Sequence, residues 1–268
     1  MRFVLPSLLV AASLSCTTAQ SRNVQKSVAE SLISDAQETQ LGLQVHEQLK
    51  TANTKFTDNA KVGVYVETLA HKLTQFSDQD RKIEWIIFVI DDLNTVNAFA
   101  TPGGRIYVYT GLLANADNEA QIIGVMGHEM GHVVARHSAR QLVGQYGLGF
   151  VTKMALGEKS GEVAQLAAGL AGKGAMLAYG RGMETEADEY GARYSSLAGY
   201  DPHGIAMFFQ KLQEKSATHP GIMTWFSTHP SNPERIAHVN EFIQQNNLGG
   251  TNLGTGELNN IKKELGVK

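Results

Sequence analysis

The segment His128-Glu129-Met130-Gly131-His132 constrains this chain more than any other stretch of it. Residues four apart on an α-helix lie one turn above each other on the same face, so a helix here presents the His128 and His132 imidazoles to one point in space. Glu129 lies one position round, beside that point. Two neutral histidines with a neighbouring carboxylate that takes a proton from water form the H-E-x-x-H pattern of zinc hydrolases. Three fixed residues arise by chance in on the order of one chain in a hundred of this length, and two histidines that merely pack or face solvent are the competing explanation. Local context argues for the site. The run Glu119 to Met126 has apolar positions at helical spacing, and Asn118 with Gln121 supplies an N-terminal cap pair, so the motif falls inside a predicted helix.

A catalytic zinc keeps three protein ligands and one open position, so a third ligand must come from elsewhere. The longer metzincin pattern is excluded, because Ala135 and Ser138 stand where it needs Gly and His. His137 is five residues beyond His132, about 140° round a continuous helix, and is expected behind the metal face or in solvent. The acidic segment Arg181 to Tyr190 reads as a second helix on which Glu184 and Asp188 share a face. Glu184 suits the ligand role, and Asp188, one turn on, is placed to accept a hydrogen bond from a ligand histidine. Glu186 falls about 200° from Glu184 and is expected in solvent. Glu158 and Glu162 remain rivals nearer in sequence, although they lie in a Gly-rich stretch without a matching carboxylate pair.

The pairing of H-E-M-G-H with a downstream E-T-E-A-D resembles the M48 zinc metallopeptidases. Asn97 to Gly104 followed by Tyr109-Thr110-Gly111-Leu112-Leu113, then Arg181, Gly199 to Pro202, Thr228-His229-Pro230-Ser231 and Glu234-Arg235-Ile236 are similar to further landmarks of that family, over roughly residues 35 to 245. The resemblance implies a zincin-like fold with one zinc per chain, and it assigns the third ligand to Glu184. It also implies that the strand near Asn97 to Ala100 is a sheet edge on which a peptide substrate lies. His229, in a His-Pro turn, is the expected second contact to the reacting centre. It either steadies the oxyanion or fills the open zinc position at rest. His219 also precedes a proline, but the family landmark matches the later pair. Arg181 is a weaker candidate, with an ion pair to Asp188 or a neighbouring carboxylate as its plainer role.

Residues 35 to 75 show two helical stripes, Leu41, Val45 and Leu49, then Val62, Val66, Leu69 and Leu73. Ile83 to Ile90 reads as a buried strand, and Val96 to Ala100 pairs with Ile106 to Tyr109 through a Pro102-Gly103-Gly104 turn. After residue 190 the pattern is helical, with Met207, Phe208 and Leu212 as expected core. The fold class is therefore α+β, mainly helical, with a small sheet preceding the active helix. His46, His71, His203 and His238 have no partner pattern and are expected to be structural.

Arg2 followed by the apolar run Phe3 to Ala12 reads as an export signal within residues 1–19. Cys16, the one cysteine of the 268 residues, follows Ser13-Leu14-Ser15, a loose lipobox, so a lipid anchor at Cys16 competes with ordinary cleavage near Ala19. Residues 20–248 form the expected peptidase domain and 249–268 a Gly-rich linker and tail. The most apolar later stretch, Val163 to Tyr179, is broken by Gln165, Lys173 and three glycines, so no transmembrane helix is expected in the mature chain. A net charge of −3 without a basic cluster argues against nucleic acid as a partner. The expectation is a bacterial periplasmic zinc endopeptidase, an outer-membrane lipoprotein if Cys16 carries the lipid, acting on unfolded or damaged envelope proteins. Glu129 is its general base. An envelope chaperone or assembly factor with a latent metal site is the alternative.

Overall fold

The structure, a computed structural model, describes residues 33–147, 149, 153, 179–215, 221–229 and 233–267. The expected export signal with Cys16, the rivals Glu158 and Glu162, residues 163–178, His219 and the Pro230-Ser231 turn lie outside the described residues.

Helix α1 (Asp35–Thr51) opens with a capping box, in which Ser34 accepts from the Gln37 N–H and the Gln37 side chain accepts from the Ser34 N–H. Helix α2 (Ala60–Asp80) is capped by Asn59. Both expected stripes are buried, α1 through Leu41, Val45 and Leu49 and α2 through Val62, Val66, Leu69 and Leu73. Strands β1 (Ile86–Ile90), β2 (Ala98–Thr101) and β3 (Arg105–Tyr109) follow. β3 lies in the middle, parallel to β1 and antiparallel to β2. The Pro102-Gly103-Gly104 turn joins β2 to β3, with φ of +79° at Gly103 and +90° at Gly104, values that a residue with a Cβ rarely adopts. The first strand differs from expectation: it begins at Ile86, and Ile86 to Phe88 are only half-buried, because β1 is a sheet edge.

Pleating sends alternate side chains to opposite faces. Ala98, Ala100, Ile106 and Val108 join the main core with α2 and the active helix, whereas Phe99 and Tyr107 stack at 4.6 Å in a second cluster under α1. After the short helix α3 (Thr110–Asn115) comes α4 (Glu119–Val134), capped by Asn118, which accepts from the Gln121 N–H, and buried at every position. The Gln121 side chain returns its bond to the Asp117 N–H. Helix α5 (His137–Tyr146) is set off from α4 by Arg136 in the left-handed region, φ +58°. Arg81 and Arg136 converge on buried Glu38, and Arg81 also donates to the Val133 carbonyl at 2.8 Å, which ties the end of α4 to α1 and α2.

Helix α6 (Arg181–Leu197) packs on α4 more closely than side chains would allow. A Cβ on Gly191 would stand 2.9 Å from the Gly124 carbonyl and 3.2 Å from the His128 nitrogen, and one on Gly131 would meet Tyr190 at 2.7 Å and the Ala187 backbone at 3.2 Å. The two backbones touch, and short side chains on either helix then reach one point. Helix α7 (Gly204–Lys215) crosses α4 in the same way, with Gly204 against the Ala120 carbonyl; Phe208 and Leu212 are buried as expected, Met207 only half so. Helices α8 (Ile222–Thr228), α9 (Pro233–Gln245) and α10 (Gly256–Glu264) complete the fold. Leu253 and Gly254 accept from the first two N–H groups of α4, and Leu258 and Ile261 of α10 enter the main core.

Gly191→Ala is expected to destabilise the protein by ~1–3 kcal/mol through overpacking against the α4 backbone. Gly63→Ala in α2, where an added Cβ meets nothing within 4 Å, should be neutral or stabilising by up to ~1 kcal/mol. Thermal melts of both variants check the contrast; equal behaviour would remove the close approach as a requirement of the fold.

Candidate metal centre

Four side chains from three helices converge. α4 presents His128 and His132, α6 presents Glu184, and His229 follows the last turn of α8. His128 Nε2 lies 2.9 Å from His132 Nε2 and 3.2 Å from His229 Nδ1. Glu184 Oε1 is 3.5 Å from His132 Nε2, and its Oε2 is 3.7 Å from His128 Nε2 and 3.4 Å from His229 Nδ1. None of these residues is more than 2% exposed. Glu129 stands beside the group, accepting from the Ala100 N–H of β2 at 3.0 Å through Oε2, with Oε1 at 3.3 Å from His229 Nε2.

These donors fit a metal ion. Three ring nitrogens point their lone pairs or protons at one another, and Glu184 Oε1 and Glu129 Oε1 are buried without a hydrogen-bond partner. Ligands of one tetrahedral ion at about 2.0–2.1 Å stand ~3.3 Å apart, within the spread observed here.

Behind the donors lies a set of fixed partners. His128 Nδ1 donates to Asp188 Oδ1 at 2.8 Å, which leaves its Nε2 lone pair facing the centre. Arg235 of α9 grips Asp188 through Nε at 2.8 Å and Nη2 at 2.6 Å, and its Nη1 reaches Glu184 Oε2 at 2.8 Å. One guanidinium thus joins Glu184 and Asp188 of α6. The alternative ion pair considered for Arg181 is corrected: Arg181 is exposed on the first turn of α6, and Arg235 holds Asp188. His137 lies behind the metal face, one of the two places expected of it, although the chain turns at Arg136 and does not continue α4; its ring is fully buried, with Nδ1 2.8 Å from His132 Nδ1. One more expectation changes. Glu186 is not solvated, since α5 covers that face of α6 and His137 and Arg140 both contact it.

The electrostatics follow from burial. Desolvation raises the Glu129 carboxyl above its ordinary range, partly opposed by His229 and His128. Desolvation also acts on Glu184 and Asp188, but His229 with His128 on the first and Arg235 with His128 on the second outweigh it and hold both carboxyls low. Burial, followed by the neighbouring rings of His128 and His137, keeps His132 neutral, well below the usual histidine range. For His229 burial is overcome by Glu184 and Glu129, so its ring is pushed up. Those same carboxylates are the ones a cation would engage, so a proton on His229 and a metal ion compete for one place.

Sequence reasoning missed Arg235 and Tyr179. Tyr179 stacks on His132 at 4.0 Å with its hydroxyl 2.7 Å from Ser138, and His229 stacks on buried Trp225 at 4.6 Å. Arg235 stood only within a landmark; no spacing in the chain reveals that α9 lies against α6. His46 stacks on Phe88, His71 faces Glu67, His203 bonds Asp201 and His238 bonds Glu189, all away from the centre.

Residues 57–243 match the sequence profile of Peptidase family M48. The chain is 30% identical over 184 residues to the mitochondrial metalloendopeptidase OMA1 of Schizosaccharomyces pombe, covering 68% of this chain and 53% of that protein. It is 31% identical over 208 residues to the mitochondrial metalloendopeptidase OMA1 of Bos taurus, covering 72% and 39%. With the beta-barrel assembly-enhancing protease of Escherichia coli the identity is 29% over 230 residues, covering 81% and 46%. The chain therefore spans about half or less of the length of these relatives. With this match over most of its length, and a mainly helical α+β fold around a buried His-His-Glu-His group, the chain belongs to peptidase family M48.

Proposed function

We propose that this chain is an exported zinc-dependent metalloendopeptidase that hydrolyses peptide bonds of unfolded or damaged cell-envelope proteins. The convergence of His128, His132 and Glu184, with Glu129 alongside, carries this reading. The donor set of imidazole and carboxylate suits zinc. His128, His132 and Glu184 would hold the ion, which would supply Lewis acidity toward water and the scissile carbonyl. Glu129 accepts a proton from the attacking water as the new C–O bond forms, then delivers it to the amine nitrogen as the C–N bond breaks. The Ala100 N–H holds the carboxylate in position through Oε2, leaving Oε1 for the proton.

The outer edge of β2 suits an extended peptide. Tyr109 donates to the Asn97 carbonyl, so alternation in the antiparallel ladder turns the backbone groups of Ala98 and Ala100 away from β3. Glu129 and the Asn97 side chain already hold the Ala100 and Ala98 N–H groups, so a substrate strand added there would donate to the outward main-chain carbonyls, without demanding a sequence, as a protease of unfolded chains requires. Relatives named as an endopeptidase and as a beta-barrel assembly-enhancing protease support a protein substrate and, for the latter, an envelope setting. Among the described residues no helix is long and apolar enough to cross a membrane. The lipid anchor at Cys16 stays part of the proposal, and mass spectrometry of the mature N-terminus tests it. The burial of all four donors favours a second reading, a latent site in an assembly factor or chaperone.

Zinc content and cleavage of an unfolded protein, compared between wild type and Glu129→Gln, separate the two readings. The Gln variant should keep zinc and fold and lose ~10²–10⁴-fold in turnover. Zinc-loaded wild type without any cleavage would favour the latent reading.

Glu184→Ala should abolish stoichiometric zinc, whereas Asp188→Ala should weaken zinc affinity by roughly 10–100-fold without eliminating it. Normal zinc in Glu184→Ala together with loss in a Glu158 or Glu162 variant would move the third ligand to the rival segment.

His229, 3.2 Å from His128 and 3.4 Å from Glu184, suits the fourth position at rest. Basal proteolysis by His229→Ala is then expected to rise. A fall of about 10²–10³-fold would instead assign it to the oxyanion. A rate equal to wild type with unchanged zinc would leave it a structural residue.

A further inference from the structure

His128 and His132 are backed by different devices. The carboxylate of Asp188 touches His128 directly. Among the described residues no carboxylate touches the outer nitrogen of His132; His137 does, with the two Nδ1 atoms 2.8 Å apart, and His137 Nε2 lies 3.1 Å from Glu186 Oε2. Arg140 Nη1 stands 3.3 Å from the same Glu186 oxygen.

The proton positions along this chain follow from the acceptors. Glu186 and Arg140 form an ion pair, so Glu186 accepts, and the proton of a neutral His137 belongs on Nε2. That leaves a lone pair on His137 Nδ1. Two lone pairs or two protons facing each other at 2.8 Å are excluded, so the His132 proton sits on its own Nδ1. His132 Nε2, which faces His128 Nε2 at 2.9 Å, is then a lone pair aimed at the centre. With the opposite tautomer of His137, a proton would stand on His132 Nε2 and block ligation.

We propose that His137 and Glu186 are positioning residues that select the ligating tautomer of His132 and thereby set the affinity of the centre for its metal. The inference rests on the reading of His132 as a ligand. An imidazole is inserted on this side because Glu186 stands on a different face of α6 from Glu184 and Asp188, and its carboxylate bonds the far nitrogen of His137. The turn at Arg136 supplies the spacer by placing His137 at the start of α5.

Two substitutions of similar size separate this role from packing. An Asn amide oxygen occupies the place of His Nδ1, whereas Gln extends toward the place of Nε2 and leaves no acceptor beside His132. Zinc affinity is measured on the full chain by competition with a chelating dye, alongside thermal melts of the metal-free protein. His137→Gln should weaken zinc binding by roughly 10–100-fold, and His137→Asn should restore it to within a few-fold of wild type. His137→Phe, which keeps a ring but no acceptor, is expected to follow Gln. Affinities of Gln and Phe variants equal to wild type would overturn the proposal, as would equal weakening in Asn, Gln and Phe variants that tracks their loss of metal-free stability. Wild type that binds no stoichiometric zinc would instead sink the metal-centre reading itself, and Glu184→Ala serves as the control for that case.

Discussion

Uncompensated charge cannot stay in a low-dielectric interior, and most of this architecture answers to that constraint. Glu129, Glu184 and Asp188 are all buried within one cluster, with Arg235, alone among the described guanidinium groups, touching two of them. That leaves two negative charges, which a divalent ion cancels. Without the ion the surplus falls on the groups that can still take a proton, which is why burial lifts Glu129 and the carboxylates lift His229. The same arithmetic explains why Arg235 and Asp188 are locked by two hydrogen bonds and not left to a flexible lysine.

Such a cluster forms only if two helices approach until their backbones touch. Gly127 and Gly131 on α4 face Gly191, Ala187 and Tyr190 on α6, Gly191 lies against the Gly124 carbonyl, and a Cβ on Gly124 itself would meet Ile205 of α7 at 2.6 Å. A helix dense in glycine is intrinsically weak, and α4 is sustained by burial on every side and by ties at both ends. Its first N–H groups are met by Asn118 and by the carbonyls of Leu253 and Gly254, and its last turn by Arg81. The C-terminal residues therefore contribute to the active helix although they lie more than a hundred positions from the histidines.

The sheet has a narrower task. β3 anchors β2 so that Ala100 donates to Glu129, and it leaves the far edge of β2 beside the metal centre. The Glu129 carboxylate and the outward edge of β2 are thus held by one short strand. A shift of β2 by one residue would exchange Phe99 for an alanine on the core face and carry the N–H away from Glu129.

Periodicity and spacing along single helices made much of this legible in advance. His128, Glu129 and His132 share a face because of 3.6 residues per turn, Glu184 pairs with Asp188 for the same reason, and the Pro-Gly-Gly turn announces the hairpin between β2 and β3. What a single helix does not encode lies between helices. The turn at Arg136 decides that His137 sits behind His132 and not in solvent, and Glu186 is covered because α5 lies over it. Arg235 gains its role only when α9 lies against α6, and β3 becomes central only when β1 pairs with it in parallel. The sequence by itself determined which residue types could meet on each helix face; tertiary structure decided which faces met, because backbone contact at glycines and the neutralisation of buried charge are properties of pairs of elements that no single element's periodicity encodes.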